Sequence, residues 1–154
     1  MKKKHKVLFV CLGNICRSPM AEAIFRDMVD KAGLTDCFEI DSAATSSWEI
    51  GNPVHHGTRN KLKEVGISTK GMTARKLTKG DYARFDYIIG MEQENIRNIL
   101  KIVERNDSEK VFRLLDLSKR PRDIADPWYT GDFETTYQDV LEGCTDLLAH
   151  ILKA

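Results

Sequence analysis

The sequence predicts an α/β fold with a parallel sheet. Short β-rich runs alternate with longer stretches of helical spacing, and no repeat, low-complexity segment or linker interrupts them. The N-terminal run VLFVCLG is apolar throughout, as in a strand covered on both faces. At 154 residues the chain has the length of one ordinary domain, so a single domain is expected.

Taken in order, the strands are expected at residues 6–10, 38–42, 87–90 and 111–114. The first helix is expected to begin at Ser18, whose hydroxyl can cap free N–H groups, with Pro19 in the first helical position. Ala21, Ile24, Phe25 and Met28 then form its buried stripe. A second helix runs from about Thr58 to near Gly66, which suits a left-handed C-cap, and Leu62 and Val65 face inward. A third, after Met91, buries Ile96, Ile99, Leu100 and Val103. The last buries Phe133, Tyr137, Val140, Leu141, Cys144, Leu147, Leu148 and Ile151. Between the fourth strand and this helix, residues 116–132 form an irregular stretch containing Pro121 and Pro127. Loops of that length usually carry function, and ligands of open α/β sheets sit at the carboxyl ends of the strands. That stretch and residues 11–18 emerge at the same edge.

Composition excludes several classes. Apolar residues make up 42% and charged residues 31%, and 24 Lys plus Arg against 23 Asp plus Glu leave a net charge of +1. Nothing in that balance points to a nucleic-acid or membrane partner. Cys11, Cys16, Cys37 and Cys144 have no Cys-x-x-Cys spacing and are too sparse for a disulfide framework, so reduced thiols in the cytoplasm fit better. The N-terminal MKKKHK followed by an apolar run imitates a signal peptide. Asn14 and Arg17 cut the run short, however, and no small residue precedes Cys11 as a lipidated cysteine requires.

The chemistry concentrates in CLGNICRS, residues 11–18. A strand, a tight loop and a helix N-terminus make an anion site from unpaired backbone N–H groups and the positive end of the helix dipole. Leu12, Gly13, Asn14, Ile15, Cys16, Arg17 and Ser18 would surround a phosphate. The same field favours thiolate over thiol, so Cys11 is expected below the free value of about 8.5 and nucleophilic at neutral pH. Arg17 offers a planar fork for two phosphoryl oxygens and would bind the transition state best. Gly13 is expected where a Cβ would obstruct the turn, and Asn14 tolerates positive φ. Ser18 can donate to the Cys11 sulfur. No Walker lysine follows the glycine, which disfavours a nucleotide loop. Cys16 by itself fits a buried cysteine equally well, and an Asp before Pro is by itself more often a turn former.

These residues, together with ADPWY at 125–129, resemble the low-molecular-weight protein tyrosine phosphatases. The resemblance spans nearly the whole chain, including DSAATSSWEIGNP at 41–53 and DPWYTGDF at 126–133. It implies a three-layer flavodoxin-like fold with a four-stranded parallel sheet in order 2-1-3-4 and helices on both faces. It implies a metal-free, cofactor-free phosphotyrosine hydrolase: Cys11 attacks phosphorus, Asp126 protonates the phenol oxygen, and Asp126 then activates water against a cysteinyl-phosphate. Trp48, Trp128 and Tyr129 match aromatic walls around the substrate ring. Asn14, Ser18 and Ser42 match the residues that hold the loop's shape. Cys16 matches a cysteine that forms a reversible disulfide with Cys11. The implied partners are phosphotyrosine-containing proteins, with inhibition by phosphate-like oxyanions, in a cytoplasmic monomer or weak homodimer. One position departs from the family pattern: Met72 stands where many members have histidine, which puts a bond supporting Asn14 in doubt. His55 and His56 sit in a polar loop without partner ligands, so a metal there is not expected.

Related functions compete. Arsenate reductases of this fold need a further cysteine pair, absent from residues 82–100, and phosphoarginine phosphatases usually carry threonine where Ile15 stands. A non-catalytic phosphoprotein-binding module would need neither a thiolate nor an acid. Cys11, Arg17 and Asp126 together favour the enzyme.

Overall fold

Four strands, β1 (His5–Cys11), β2 (Phe38–Ala44), β3 (Tyr87–Gly90) and β4 (Val111–Arg113), pair in parallel in the computed structural model, which describes residues 4–153. Their order is β2-β1-β3-β4, as the resemblance implied. Parallel pairing needs crossovers, and helices supply them: α1 (Arg17–Lys31) between β1 and β2, α2 (His56–Glu64) and α3 (Asp81–Arg84) between β2 and β3, and α4 (Gln93–Val103) between β3 and β4; α5 (Pro127–Thr130) and α6 (Phe133–Lys153) follow the last strand.

β1 lies at the centre. Val7, Leu8, Phe9 and Val10 are wholly buried, and alternate residues serve opposite faces. Val7 and Phe9 join a cluster with α1 and α6, whereas Leu8 and Val10 join one with Ile99 and Val103 of α4. Each such side chain contributes about 1.5–3 kcal/mol on burial. The register pairs Cys11 with Ala44 and Val10 with Gly90, and Gly90 with Arg113. The strand ends therefore come level at one edge, where the following loops meet.

Three local expectations need correction. The first helix starts at Arg17, its cap residue Cys16 makes no side-chain cap bond, and Pro19 is third in the helix rather than first. Pro19 still falls in the first turn, where a missing N–H is harmless. Ser18 is no cap because its hydroxyl is turned to the Cys11 sulfur, 3.1 Å away. The second helix begins at His56 under a cap from His55, and Val65 is exposed. The cause is the helix end: Gly66 at φ +78° lets its N–H reach the Lys63 carbonyl and that of Ile67 the Leu62 carbonyl. This Schellman geometry returns Ile67, not Val65, to the core. The third correction lies around residues 116–132: the fourth strand stops at Arg113, a 3-10 turn at Leu114–Leu117 leads into the stretch, and α5 lies within it. No helix among the described residues is long and apolar enough to cross a membrane.

Candidate active site

At the end of β1 the chain turns through residues 12–16 into α1, and the turn is closed around one sulfur. Cys11 is 3% exposed. Its Sγ faces the backbone N–H of Asn14 at 3.3 Å, that of Ser18 at 3.5 Å, and the Ser18 hydroxyl at 3.1 Å. The direction of the hydroxyl follows from its neighbours. Asn14 Nδ2 donates to Ser18 Oγ at 2.7 Å, so the Ser18 proton is left for the sulfur. Asn14 itself takes the left-handed conformation, φ 59°. Gly13 does not have positive φ, and a Cβ there would meet only Glu49 Cγ at 3.5 Å and Ile15 Cγ1 at 3.8 Å, so the expected obstruction is absent. Asn14, not Gly13, makes the turn.

Both amide hydrogens of Asn14 are used. The second donates to Ser42 Oγ at 2.9 Å, and the amide oxygen accepts from the Arg75 backbone N–H at 3.1 Å. Met72 has no side-chain donor to add to that oxygen, but Asn14 still has partners on β2, α1 and the segment before α3. Ser42 passes its own proton to Glu22 at 2.6 Å, and Glu22 pairs with Arg26 at 2.8 Å. Burial raises the Glu22 pKa, while the Ser42 bond and Arg26 oppose it. The Arg75 guanidinium is held at 3.0 Å by Asp41 and at 3.0 Å by Asp81. Burial alone would raise Asp81, but hydrogen bonds from Arg75 and Thr78 hold it below the ordinary carboxylate value.

Arg17 is 1% exposed and aims into the same edge. Its NH1 donates to the Ile124 carbonyl at 2.9 Å and pairs with Glu92 at 3.2 Å, and its NH2 lies 3.3 Å from Asp126 Oδ2. Burial disfavours its charge, but Cys11, Asp126 and Glu92 outweigh it and raise the pKa. Arg17 Nε is buried and has no partner. A guanidinium N–H left without an acceptor is costly unless an anion completes it. Asp126 sits at the start of α5, where Oδ1 accepts the Trp128 N–H at 3.0 Å as a helix cap.

Above the sulfur is a cleft of about 150 Å³. Cys11, Leu12, Gly13, Ile15, Cys16, Arg17, Asp126, Trp48, Trp128 and Tyr129 all line it, and Asn14, Ser18 and Ser42 stand behind the loop as buried supports. Trp48, Trp128 and Tyr129 are 75%, 56% and 76% exposed and form an apolar rim. Burial, then the charges of Cys11 and Asp126, push the Cys16 thiol up to about 12, so Cys16 stays protonated beside Cys11. A larger groove, about 550 Å³, opens beside Arg59, Lys63 and Lys70, and no cysteine, histidine or carboxylate lines it. His55 and His56 stack at 4.3 Å, and His55 Nδ1 is occupied by the Gly57 N–H at 3.0 Å. Among the described residues no group of three or more His, Cys, Asp or Glu could hold a metal.

Sequence reasoning missed Glu92, Glu22, Arg75, Asp81 and the Ile124 carbonyl. Glu92 had a usable signal, since it follows the carboxyl end of β3, the edge where ligands collect. The others meet the loop only through the fold.

A family model described as low molecular weight phosphotyrosine protein phosphatase matches residues 6–154. The chain is 49% identical over 149 residues to the low molecular weight protein-tyrosine-phosphatase YfkJ of Bacillus subtilis, covering 96% of each chain. It is 42% identical over 148 residues to PtpA of Staphylococcus aureus, covering 96% of this chain and 94% of that one. The crystal structure of YfkJ superimposes with a TM-score of 0.95 at 48% identity, covering 98% of this chain and 96% of that one. DARP, described as a Drosophila arginine phosphatase, gives 0.87 at 34% identity over 95% and 97%. The chain therefore belongs to the low molecular weight phosphotyrosine protein phosphatase family and is an enzyme of that class.

Proposed function

We propose that this enzyme hydrolyses phosphotyrosine in proteins through a cysteinyl-phosphate, with Cys11 as nucleophile, Arg17 as phosphate ligand and Asp126 as acid and then base. The observation that carries the reading is the convergence of three donors on the Cys11 sulfur, because only a thiolate needs that many. A phosphate drawn into the loop would take the free Nε of Arg17 and neighbouring backbone N–H groups. Sγ then bonds to phosphorus as the P–O bond to the tyrosine ring breaks. The phenolate would be a poor leaving group, and Asp126 gives it a proton. In the second step water attacks phosphorus, Asp126 takes its proton, and the S–P bond returns its electrons to a thiolate stabilised by the Ser18 hydroxyl. Each atom is restored.

Ile15 and the three rim aromatics support an aryl substrate, since stacked rings favour one another by about 0.5–1.5 kcal/mol. Phosphoarginine is the second reading, favoured by the Drosophila neighbour and by Glu49, whose carboxyl at the cleft could meet a guanidinium. Comparing kcat/KM on matched phosphotyrosine and phosphoarginine peptides separates the two. The mechanism is tested with aryl phosphates against pH. Cys11→Ser should abolish turnover, and acid quenching of the parent should trap phosphate on Cys11; undiminished turnover by the serine variant would sink the mechanism.

A further inference from the structure

Asp126 is attached to the rest of the site by a thin set of contacts, and one of them runs through a residue with no assigned role. The His55 backbone N–H donates to the Ile15 carbonyl at 2.8 Å, so this residue is tied directly to the phosphate loop. Its ring meets Trp128 edge-on, with centroids 5.4 Å apart and planes at 73°. The backbone N–H of Trp128 in turn donates to the Asp126 carboxyl at 3.0 Å. The His55 ring also lies nearly parallel to that of Phe133 at the start of α6, with centroids 5.4 Å apart and planes at 11°. Gly57 allows that approach, because a Cβ there would collide with the Phe133 ring.

We propose that His55 is a positioning residue for Asp126: its main chain is fixed to the phosphate loop and its ring buttresses Trp128, setting where the Asp126 carboxyl stands relative to Cys11. The inference rests on Asp126 being the proton donor. The ring is used as a neutral aromatic. Its Nδ1 accepts the Gly57 N–H and so carries no proton, which leaves Nε2 protonated. Burial, then His56 and Arg59, lower the pKa of His55, with Asp126 and Glu49 opposing, which keeps it in that form at neutral pH.

The ring and the helix cap are separable. His55→Asn keeps an acceptor for the start of α2 but removes the ring, whereas His55→Phe keeps the ring and removes the acceptor. The readout is kcat/KM across aryl phosphates from phenyl to p-nitrophenyl, because only a poor leaving group needs the proton. Asp126→Ala runs beside them and must show a steeper leaving-group dependence than the parent; if it does not, the acid assignment itself fails. Given that control, His55→Asn should lose about tenfold on phenyl phosphate and about twofold on p-nitrophenyl phosphate, part of the roughly 10²–10⁴-fold that proton transfer contributes. Inorganic phosphate should inhibit it as it does the parent. His55→Phe should restore the parent slope despite a lower melting temperature. A parent-like slope for His55→Asn, an equally steep slope for His55→Phe, or weakened phosphate inhibition in His55→Asn would each overturn the proposal.

Discussion

The loop around Cys11 and the segment around Asp126 face each other across one cleft and are built in opposite ways. The loop is buried and bonded on every side: Asn14 is tied to α1, β2 and the Arg75 segment, and those partners are tied in turn to Glu22, Asp41 and Asp81. The acid segment is a four-residue helix whose Trp128 and Tyr129 stand largely in solvent. Its links are the buried Pro127, Arg17, the ring of His55, and bonds at Ile124 and Ala125. The half proposed to bind phosphate is thus preorganised by the core, and the half proposed to donate the proton is placed by a few side chains. Damage to the first should lower stability and all substrates together; damage to the second should discriminate between substrates.

The largest effect tests the first half. Asn14→Ala removes the loop's amide bonds and leaves a Cβ residue at φ 59°, where strain costs about 1–2 kcal/mol and each lost buried bond about 1 kcal/mol more. With three bonds lost, urea denaturation should show a loss of about 4–5 kcal/mol. Turnover should fall by a similar factor for good and poor leaving groups, and a selective loss for poor ones would erase the distinction between the halves.

Next in size is the outer support. Asp81 is 5% exposed and its pKa is depressed in the fold by Arg75 and Thr78 despite its burial. A depressed carboxylate contributes stability that is present above its ordinary value of 3.8 and is lost as pH falls through the lower folded value. Asp81→Asn should therefore cost about 2 kcal/mol at pH 7 by thermal unfolding. The difference from the parent should shrink below pH 3.8. Persistence of the full difference in acid would mean that Asp81 acts through shape, not charge.

The same contrast decides what the amino-acid order revealed. The loop was legible because it is local: Cys11, Arg17 and Ser18 fall on one strand-to-helix passage, and spacing alone suggests an anion there. Its supports were not, since Arg75 and Ser42 reach Asn14 from 61 and 28 residues away. Ser18 was expected both as a cap and as a donor to the Cys11 sulfur; only the second holds, because the helix already starts at Arg17. Strands were legible because β1 and β3 are buried on both faces and read as apolar runs. Strand order came only through the family resemblance. His55 looked like a loose loop histidine because Trp128 and Phe133, its ring partners, are distant in the chain.

A smaller effect concerns the charge between the halves. Arg17 already faces Glu92 and Asp126, so an entering oxyanion meets two carboxylates beside its cation. Asp126→Asn removes one of them while keeping its shape and its cap to Trp128. Inhibition by inorganic phosphate at pH 7 should tighten about fivefold, roughly 1 kcal/mol after allowance for partial exposure. Weaker inhibition would show that the Asp126 charge holds Arg17 in place more than it repels the anion.

The smallest effect isolates the rim. Trp48 is 75% exposed, so its removal should leave stability within about 0.5 kcal/mol of the parent. If its ring stacks on the substrate, Trp48→Ala loses about 0.5–1.5 kcal/mol of aryl binding, a rise in KM of roughly threefold to tenfold. Alkyl phosphates have no ring to stack, so their kcat/KM should not move. The leaving-group slope should stay at the parent value as well, because Trp48 touches neither the sulfur nor the acid segment's supports. An equal loss for alkyl and aryl phosphates would place Trp48 with the phosphate loop's scaffold, through the neighbouring Glu49 against Gly13. The ring-binding role would then rest on Trp128 and Tyr129, which follow Asp126 in α5, and substrate choice and proton delivery would be functions of a single wall instead of two.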